Sequence, residues 1–290
     1  MIKQTLHASD RFKAALRGDL LYGDDFSQEE INKWYADEAE AYADLQGSTG
    51  RKYSYQYHGW NQFHAFRWLP DKRFPEALGF GSAFGHEFLP VVDLLDRITI
   101  VDASTAFTDT EINGVPVERI RPVPTGKLPF PENKFDLITC FGVLHHIPNV
   151  SFVISELSRV LAPGGFLLVR EPVVSMGDWR HPRKGLTKRE RGIPVALLRK
   201  AVTVAGLQID RFAYCGFSLT RVFFRNSGNG VFNNSVAVRF DAIGARLFTW
   251  NLRYHADTRW GKVRPTSAFL IASKAGTSKI TCSDHLAGTS

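Results

Sequence analysis

The chain has 290 residues, of which 44% are hydrophobic and 22% charged. These proportions suit one large α/β domain with extensions, and no apolar run approaches the roughly 20 residues of a membrane span. The first residues lack the apolar stretch of a signal peptide, so we expect none. The three cysteines, Cys140, Cys215 and Cys282, are widely spaced. They argue against a disulfide framework or a zinc site and favour the reducing cytoplasm, and no metal ligand set is predicted.

The positive charge is uneven along the chain. The formal net charge is +7, and the segment from Arg180 to Arg191 alone carries six Lys or Arg residues against one acid, Glu190. A patch of this kind concentrates anions near it. An ordinary solvated basic loop explains the same charge run equally well.

Residues 1–70 are expected to form a helical, aromatic N-terminal cap. Ser27 followed by Glu30 is typical of a capping box at a helix start. The next apolar residues recur at helical spacing, namely Ile31, Trp34, Tyr35, Ala39 and Tyr42. The aromatic stretch 53–68 has few nearby cations, so we interpret it as a cap over a domain edge rather than a base-stacking surface.

From Phe74 onward, apolar strand-like runs alternate with helical patterns. Strands are predicted at 74–79, 98–104, 117–123, 135–140, 166–171, 207–214 and 267–273. Helices are predicted at 84–95, where Pro90 should kink or delay the helix, at 151–161 and at 193–205. This alternation predicts a doubly wound α/β domain over 71–274, with a mostly parallel seven-stranded sheet. Ligands then bind outside the carboxyl ends of the strands.

An insertion at 216–264 separates the sixth and seventh predicted strands. Within it, residues 234–250 predict an amphipathic helix whose apolar face holds Val236, Phe240, Ile243, Leu247 and Trp250. We expect this face to pack on the domain, with a homodimer contact or attachment to a membrane surface as alternatives. The small, polar residues 275–290 are expected to be a disordered tail.

A glycine-rich turn from Gly79 to Gly85 follows the first predicted strand and opens a helix. Glycines let a backbone pass close to a ligand, and a helix N-terminus offers N–H donors to an anion. Asp102 ends the next predicted strand, where a carboxylate can accept both hydroxyl protons of a ribose. A helix cap or loop acid is the alternative role for Asp102. Together the two features predict a nucleotide-type ligand.

Two downstream segments distinguish the kinds of ligand. The sequences LPFPENKFDLITCFGVLHHIPNV (128–150) and LSRVLAPGGFLLVREP (157–172) resemble the class I S-adenosylmethionine-dependent methyltransferase family, with a Rossmann-like fold. The resemblance covers residues 74–214. It implies that the glycine turn holds the methionine end of the cofactor, that the acid after strand 2 holds the ribose, and that the end of strand 4 lines the methyl-donor pocket. The cofactor residues it implies are Gly79, Phe80, Gly81, Ser82, Ala83, Gly85, Asp102, Ala103 and Phe141.

Candidate catalytic residues lie at the carboxyl ends of strands 4 and 5. His145, His146 and Glu171 are the side chains there that can accept a proton from a methyl acceptor. A structural role, such as capping the loop before Pro148, is at least as well supported by the sequence.

The acceptor is expected to bind the segment that follows strand 5. Trp179 offers a face on which a sugar ring can stack, and Arg180, Arg183 and Arg189 offer forks for phosphate or carboxylate. We therefore predict a small or saccharide-type acceptor, with an anionic or phosphate-linked one as a further hypothesis.

Other functions stay open. Ala77 stands where the family usually has an acid, and PVPTGKLPF (122–130) contains none, so a degenerate methyltransferase fold serving as a binding or scaffold module is one alternative. An NAD(P)-dependent oxidoreductase shares the glycine turn and Asp102, but does not require the LPF and LHH motifs. Nucleic acid is not expected as a partner, since no base-methylation motif is present.

Overall fold

One eight-stranded sheet forms the centre of the computed structural model, which describes residues 8–46, 54–104, 107–228 and 230–276. Its strands are β1 Phe74–Phe80, β2 Leu95–Val101, β3 Glu111–Ile112, β4 Val115–Ile120, β5 Phe135–Phe141, β6 Leu161–Pro172, β7 Leu207–Phe217 and β8 Pro265–Lys274. The α-helices are α1 Ala8–Arg17, α2 Gln28–Gln46, α3 His58–His64, α4 Val150–Val160, α5 Val195–Val204, α6 Thr220–Phe223 and α7 Ser235–Leu247. Short 3₁₀ helices cover Phe66–Trp68, His86–Leu94, Leu144–His146, Val231–Asn233, Thr249–Asn251 and Trp260–Lys262.

The strand order is β3-β4-β2-β1-β5-β6-β8-β7. The central strands β4, β2, β1, β5 and β6 are mutually parallel, whereas β8 runs antiparallel between β6 and β7. The predicted doubly wound α/β fold is thus confirmed. The chain leaves β1 toward β2 and β4, then returns to place β5 on the other side of β1. This reversal creates a topological switch point between β1 and β5, where open α/β sheets bind ligands.

The sheet has one strand more than the sequence predicted. The additional strand β3 forms a hairpin with β4 through a two-residue turn, and Ile112 pairs with Val115 across it. Its turn residues Asn113 and Gly114 have φ angles of 47° and 81°. Asn-Gly is a strong signal for a two-residue hairpin turn, so Asn113-Gly114 is the sequence feature that could have predicted β3.

Successive residues of the central strands face two separate apolar cores. Leu137 and Leu168 belong to the core under α3 and α7, whereas their neighbours Ile138 and Leu167 belong to the core under α4 and α5. Side chains alternate between the two faces of a strand, so strands covered on both faces are apolar throughout. That is why these strands were recognisable as unbroken hydrophobic runs.

The predicted helix at 84–95 is a 3₁₀ helix instead, His86–Leu94, with Pro90 inside it. With three residues per turn, Phe88 and Val91 lie on one face and are both buried, while Leu89 is only half-buried. A proline removes an N–H donor and disfavours the α conformation in the residue before it. The tighter helix therefore replaces the regular one that the apolar pattern suggested.

The predicted capping box at the start of α2 is confirmed. The backbone N–H of Ser27 donates to Oε2 of Glu30 at 2.7 Å, and the backbone N–H of Glu30 donates to Oγ of Ser27 at 3.3 Å. Ile31 and Trp34 on this helix are buried. The start and the inward face of α2 thus follow from local sequence, as capping and periodicity predict.

The expectation that the apolar face of α7 packs on the domain is wrong. Four residues of that face are 61–68% exposed, namely Val236, Ile243, Leu247 and Trp250. The small side of the helix is buried instead, with Ala237, Gly244 and Ala245 against the sheet. A Cβ on Gly244 would lie 2.3 Å from Cδ1 of Phe217. Close packing against β7 therefore requires small residues and turns the larger ones outward.

Every helix in the described ranges is too short or too polar to span a bilayer. The predicted tail, 275–290, lies outside the described residues from position 277 onward. The division into a cap, 1–70, and a domain with an insertion, 216–264, stays a prediction.

Candidate functional site

The glycine turn lies at the carboxyl end of β1, beside the switch point. Gly81, Ala83 and Gly85 have φ angles of 70°, 49° and 73°. The N–H of Gly81 donates to the carbonyl oxygen of Val101 at 2.7 Å, which ties the turn to β2. Three left-handed residues in five reverse the chain sharply. Such a conformation favours glycine, and Ala83 adopts it at some cost in strain.

The loop after β5 lies directly against this turn. A Cβ on Gly81 would lie only 2.4 Å from Cγ2 of Val143, and one on Gly79 would lie 2.4 Å from Oγ of Ser82. Glycine at position 81 therefore permits contact between the ends of β1 and β5, and glycine at position 79 permits the tight turn itself. The sequence predicted that the cofactor binds between Gly79 and Asp102, and this stays a prediction.

Asp102, directly after β2, holds the turn in place. Its Oδ2 accepts from the N–H of Ala83 at 2.8 Å, and its Oδ1 accepts from the N–H of Ser104 at 2.9 Å. Arg119 donates from Nη1 to the carbonyl oxygen of Ala83 at 2.7 Å. Each carboxylate oxygen still has a second lone pair. The carboxylate can therefore fix the turn and also accept hydrogen bonds from a ligand.

The side chains of the other predicted cofactor residues differ in how far they are exposed to solvent. The side chains of Phe80 and Phe141 are 4% and 9% exposed and pack into opposite cores. Ala103 is exposed and Ser82 is buried. For Phe80 and Phe141, only the backbone and a ring edge are therefore available to a ligand in the crevice.

Glu171 organises the turn that carries the two candidate histidines. Its Oε1 accepts from the N–H groups of Val143 and Leu144, each at 2.8 Å, and its Oε2 lies 2.7 Å from Nδ1 of His145. The residue is fully buried. With both oxygens engaged, Glu171 positions the loop. Its predicted role as a base stays a prediction.

His145 lies between two carboxylates, Glu171 on its Nδ1 side and Glu190 3.5 Å from its Nε2. Burial alone would lower its pKa, but the two carboxylates outweigh burial and raise the pKa of His145 to about 9. The same contact with His145, together with the N–H of Thr187, holds the pKa of Glu190 at about 2 despite burial. In the absence of another cation, the imidazole thus keeps its proton at neutral pH.

His146 is held from the opposite side by α2. Its Nδ1 lies 2.7 Å from Oε2 of Glu38, and the hydroxyl of Thr187 donates to the same carboxylate oxygen at 2.7 Å. Burial, followed by the nearby positive charge of His145, lowers the pKa of His146. Sequence reasoning missed Glu38, Thr187 and Glu190, because long-range contacts bring them to the histidines.

The basic cluster of residues 180–191 is largely neutralised within the protein. Arg189 donates to Asp37 at 2.6 Å, Arg180 donates to Asp178 at 2.7 Å, and Arg183 donates to the backbone carbonyl oxygens of residues 176 and 187. These arginines were predicted to bind an anionic acceptor. Their guanidinium groups instead join this segment to α2 and to itself.

Trp179 does not offer the stacking face that the sequence suggested. It is 4% exposed and packs against Phe12 and Tyr22, with ring centroids 5.0 and 5.7 Å away. Aromatic neighbours at this distance form a small core between α1 and the segment after β6. The predicted sugar contact is therefore wrong for this side chain.

A buried acid under the glycine turn was also missed. Glu87 is 3% exposed, and its Oε1 accepts from the hydroxyl of Thr139 at 3.2 Å. Burial raises the pKa of Glu87 to about 7, although the hydroxyls of Ser82 and Thr139 and the charge of Arg170 oppose the rise. An acid in the middle of an apolar helix pattern was the available sequence signal.

The comparison with known families decides between the ligand classes. The methyltransferase domain family matches residues 77–169. That range begins within β1 and ends within β6, so it contains the glycine turn, Asp102 and both histidines. Residues 77–169 are a class I methyltransferase domain. The cofactor of this family is S-adenosylmethionine.

Curated relatives match the methyltransferase domain over short segments. The uncharacterized methyltransferase YcgJ of Bacillus subtilis is 33% identical over 98 residues, which span 32% of this chain and 39% of that protein. The 27-O-demethylrifamycin SV methyltransferase of Amycolatopsis mediterranei is 38% identical over 64 residues, 20% of this chain and 24% of that protein. The chain thus matches well under half the length of these relatives.

Solved structures include similar folds. An S-adenosylmethionine-dependent methyltransferase from Mesorhizobium loti superposes with a TM-score of 0.49 at 15% identity, covering 71% of this chain and 94% of that one. The YcgJ protein of Bacillus subtilis superposes with a TM-score of 0.44 at 19% identity, again covering 71% of this chain and 94% of that one.

Asp102 is the residue of the methyltransferase domain that best fits the family's cofactor. Asp102 keeps lone pairs at the place where the ribose hydroxyls are expected, whereas the space beside Gly79 and Gly81 is occupied by Ser82 and Val143. The position of the usual acid, Ala77, is fully buried in a core and provides no carboxylate. Contacts to the methionine amine must therefore come from elsewhere in this chain.

Proposed function

We propose that this chain transfers a methyl group from S-adenosylmethionine to a small acceptor. The observation that carries the proposal is the meeting of the glycine turn, Asp102 and the Val143 loop at the switch point between β1 and β5. The sulfonium of the cofactor supplies an already activated methyl group. The protein must then orient the acceptor, exclude water and, where the acceptor requires it, remove a proton.

The chain's own residues support these tasks. Asp102 would accept hydrogen bonds from the ribose, and the backbone of the glycine turn would pass along the methionine end. Glu171 fixes the turn that carries His145 and His146 beside the crevice, and α2 covers the far side of that turn. Water is excluded because this network is buried, and exclusion strengthens each polar contact within it.

The strand order favours methyl transfer over hydride transfer. Dinucleotide-binding folds have six parallel strands in the order 3-2-1-4-5-6. Here the antiparallel strand β8 lies between β6 and β7. This difference supports a methyltransferase over an NAD(P)-dependent oxidoreductase that uses the same glycine turn and acid.

The acceptor class is a separate part of the proposal. We keep a small or saccharide-type acceptor as the proposal. The anionic form of that proposal was based on Arg180, Arg183 and Arg189, and each now has an internal partner. Substitution of Arg180 with Gln is expected to leave the KM of an anionic acceptor unchanged, and a severalfold increase would restore the anionic hypothesis.

Calorimetry with S-adenosylhomocysteine tests the proposed function. The full chain should bind this product, and Asp102→Asn should weaken binding roughly tenfold or more, because a charged hydrogen-bond acceptor contributes about 1.5–3 kcal/mol. Asp93→Asn, on the exposed face of the His86–Leu94 helix, is the matched control. Absence of heat at millimolar ligand would favour a scaffold role, and heat with a nicotinamide dinucleotide instead would favour the oxidoreductase.

A further inference from the structure

Two histidines on the loop beside the glycine turn form, with Glu190 from the segment after β6, a group of side chains that can bind a metal. One ring nitrogen of His145, one ring nitrogen of His146 and one carboxylate oxygen of Glu190 all lie within 4.8 Å of one another. Nε2 of His145 and Oε1 of Glu190 are 3.5 Å apart. Two donors that each lie about 2.1 Å from one tetrahedral ion are about 3.4 Å apart. These two atoms thus already have the spacing of ligands that share an ion.

Each imidazole is oriented by a carboxylate that is not part of this group. Glu171 lies 2.7 Å from Nδ1 of His145, and Glu38 lies 2.7 Å from Nδ1 of His146. Metal-binding histidines almost always have such a partner, which fixes the ring and raises its basicity. Because Glu171 holds Nδ1 of His145, the other nitrogen, Nε2, is directed toward Glu190.

The charges around this group also favour a cation. The side chains of Glu38, Glu171 and Glu190 are 6%, 0% and 12% exposed, so three carboxylates meet away from bulk water. The charges of Arg183 and Arg191 offset part of this negative charge, while their guanidinium groups donate to backbone carbonyl oxygens. Buried charges are tolerated when they are paired or coordinate a metal. A cation would take the place of the proton on Nε2 of His145.

We propose that His145, His146 and Glu190 bind one divalent transition-metal ion, with zinc and its analogues as the class of ion. Two imidazoles and a carboxylate suit such ions, and three protein ligands leave a further position for water or an acceptor oxygen. Its use for an acceptor rests on the proposed methyl transfer, since Val143 of the same loop lies against Gly81. Ion binding itself does not depend on that function.

Titration of the untagged full chain with cobalt(II) chloride, after dialysis against a chelator, tests this site. We expect about one ion per chain, a visible absorption band of protein-bound cobalt, and displacement of that band by zinc. His145→Gln and Glu190→Gln should each weaken binding at least tenfold. His181→Gln, at an imidazole that is 74% exposed, should bind as the unaltered chain does.

Cobalt bound equally well by the His145→Gln and Glu190→Gln variants, or no binding by the unaltered chain at millimolar cobalt, would overturn the metal site. Circular dichroism of both variants reports whether they remain folded, and the result with the unaltered chain does not depend on them. S-adenosylhomocysteine calorimetry on the same samples separates the two proposals. Cofactor binding without cobalt binding removes only the metal, and the reverse result removes only methyl transfer.

Discussion

The indole N–H of Trp34 donates a 2.7 Å hydrogen bond to the carbonyl oxygen of His146, and so joins α2 to the loop after β5. The ring is 1% exposed, and the guanidinium of Arg191 lies 4.8 Å from its centroid. An N-terminal helix thus holds the backbone of a candidate catalytic residue in place. The position of the histidine pair therefore depends on residues far from the matched family segment.

Trp34→Phe is expected to destabilise the protein through this hydrogen bond. The shorter ring still fills part of the space, but the buried carbonyl of His146 loses its donor. The free energy of unfolding should fall by about 1–3 kcal/mol, as measured by urea denaturation. Trp260→Phe, at a side chain that is 63% exposed, is the control and should change little. Equal effects of the two substitutions would contradict this assignment.

Gly81→Ala is expected to lower the free energy of unfolding by more than the strain of alanine at a positive φ angle accounts for. The new Cβ would lie 2.4 Å from Cγ2 of Val143, whereas Gly164, with a φ of 77°, has open space around it. Gly164→Ala should thus lower the free energy of unfolding by only about 1–2 kcal/mol, the cost of a left-handed backbone for alanine. Gly81→Ala should lower it by about 1–3 kcal/mol more, because the new Cβ overpacks the contact.

The double variant Gly81→Ala with Val143→Ala tests the contact between these two loops. It should destabilise less than the sum of the two single substitutions, because the overpacking is relieved. Additive effects in urea denaturation would show that the two side chains do not meet.

Glu87 is expected to make stability fall as pH rises. Its pKa is raised from 4.5 to about 7 in the folded chain. Below about pH 4.5 both states are protonated, and between there and about pH 7 only the unfolded chain loses the proton, at about 1.4 kcal/mol per pH unit.

Glu87→Gln removes this dependence on pH. From about pH 5 to about pH 8, its stability relative to the unaltered chain should therefore rise by about 3 kcal/mol. Glu111→Gln, at an exposed carboxylate, should show no such trend in thermal or urea unfolding. A flat difference for Glu87→Gln would mean that the acid is ionised in the folded chain.

Asp241 of α7 is expected to be among the most sensitive positions for stability. Its two oxygens accept from Nε1 of Trp60, the N–H groups of Gly216 and Phe217 and the hydroxyl of Thr220. Asn presents one oxygen and a donating NH₂ group, so it cannot accept all four hydrogen bonds.

Asp241→Asn should therefore lower the free energy of unfolding by about 2–4 kcal/mol. Asp257→Asn, at a side chain that is 87% exposed, should be nearly neutral. A loss below about 1 kcal/mol for Asp241→Asn would indicate that this network reorganises.

The sequence was most informative where local rules are sufficient. The parallel strands appear as unbroken apolar runs because both faces of the sheet are covered, and the capping box marks the start of α2. The sequence signals for β3 and for the 3₁₀ helix at His86–Leu94 are Asn113-Gly114 and Pro90. The periodicity of apolar residues did not predict which face of α7 is buried. Close contact with Phe217 requires small residues, so the face with small residues packs against the sheet.

The same difference between local signals and long-range contacts applies to the residues of the candidate site. The glycine turn and Asp102 were found because the motif and the spacing are local. Glu38 and Glu190 were missed, because they come from separate segments and contact the histidines only in the folded chain. The burial of Trp179 and the internal partners of the arginines were not predicted, because a single sequence gives residue types but not their partners.

The position of β8 has a consequence for synthesis on the ribosome. β7 pairs with β8 alone among the described strands, and β8 is separated from it by residues 218–264. Domains assemble from the N-terminus as the chain emerges. One edge of β6 and the edge of β7 that pairs with β8 therefore stay unpaired until residue 274 has left the exit tunnel. A nascent chain arrested before β8 would expose these two strand edges to other chains, and pairing with β8 covers both.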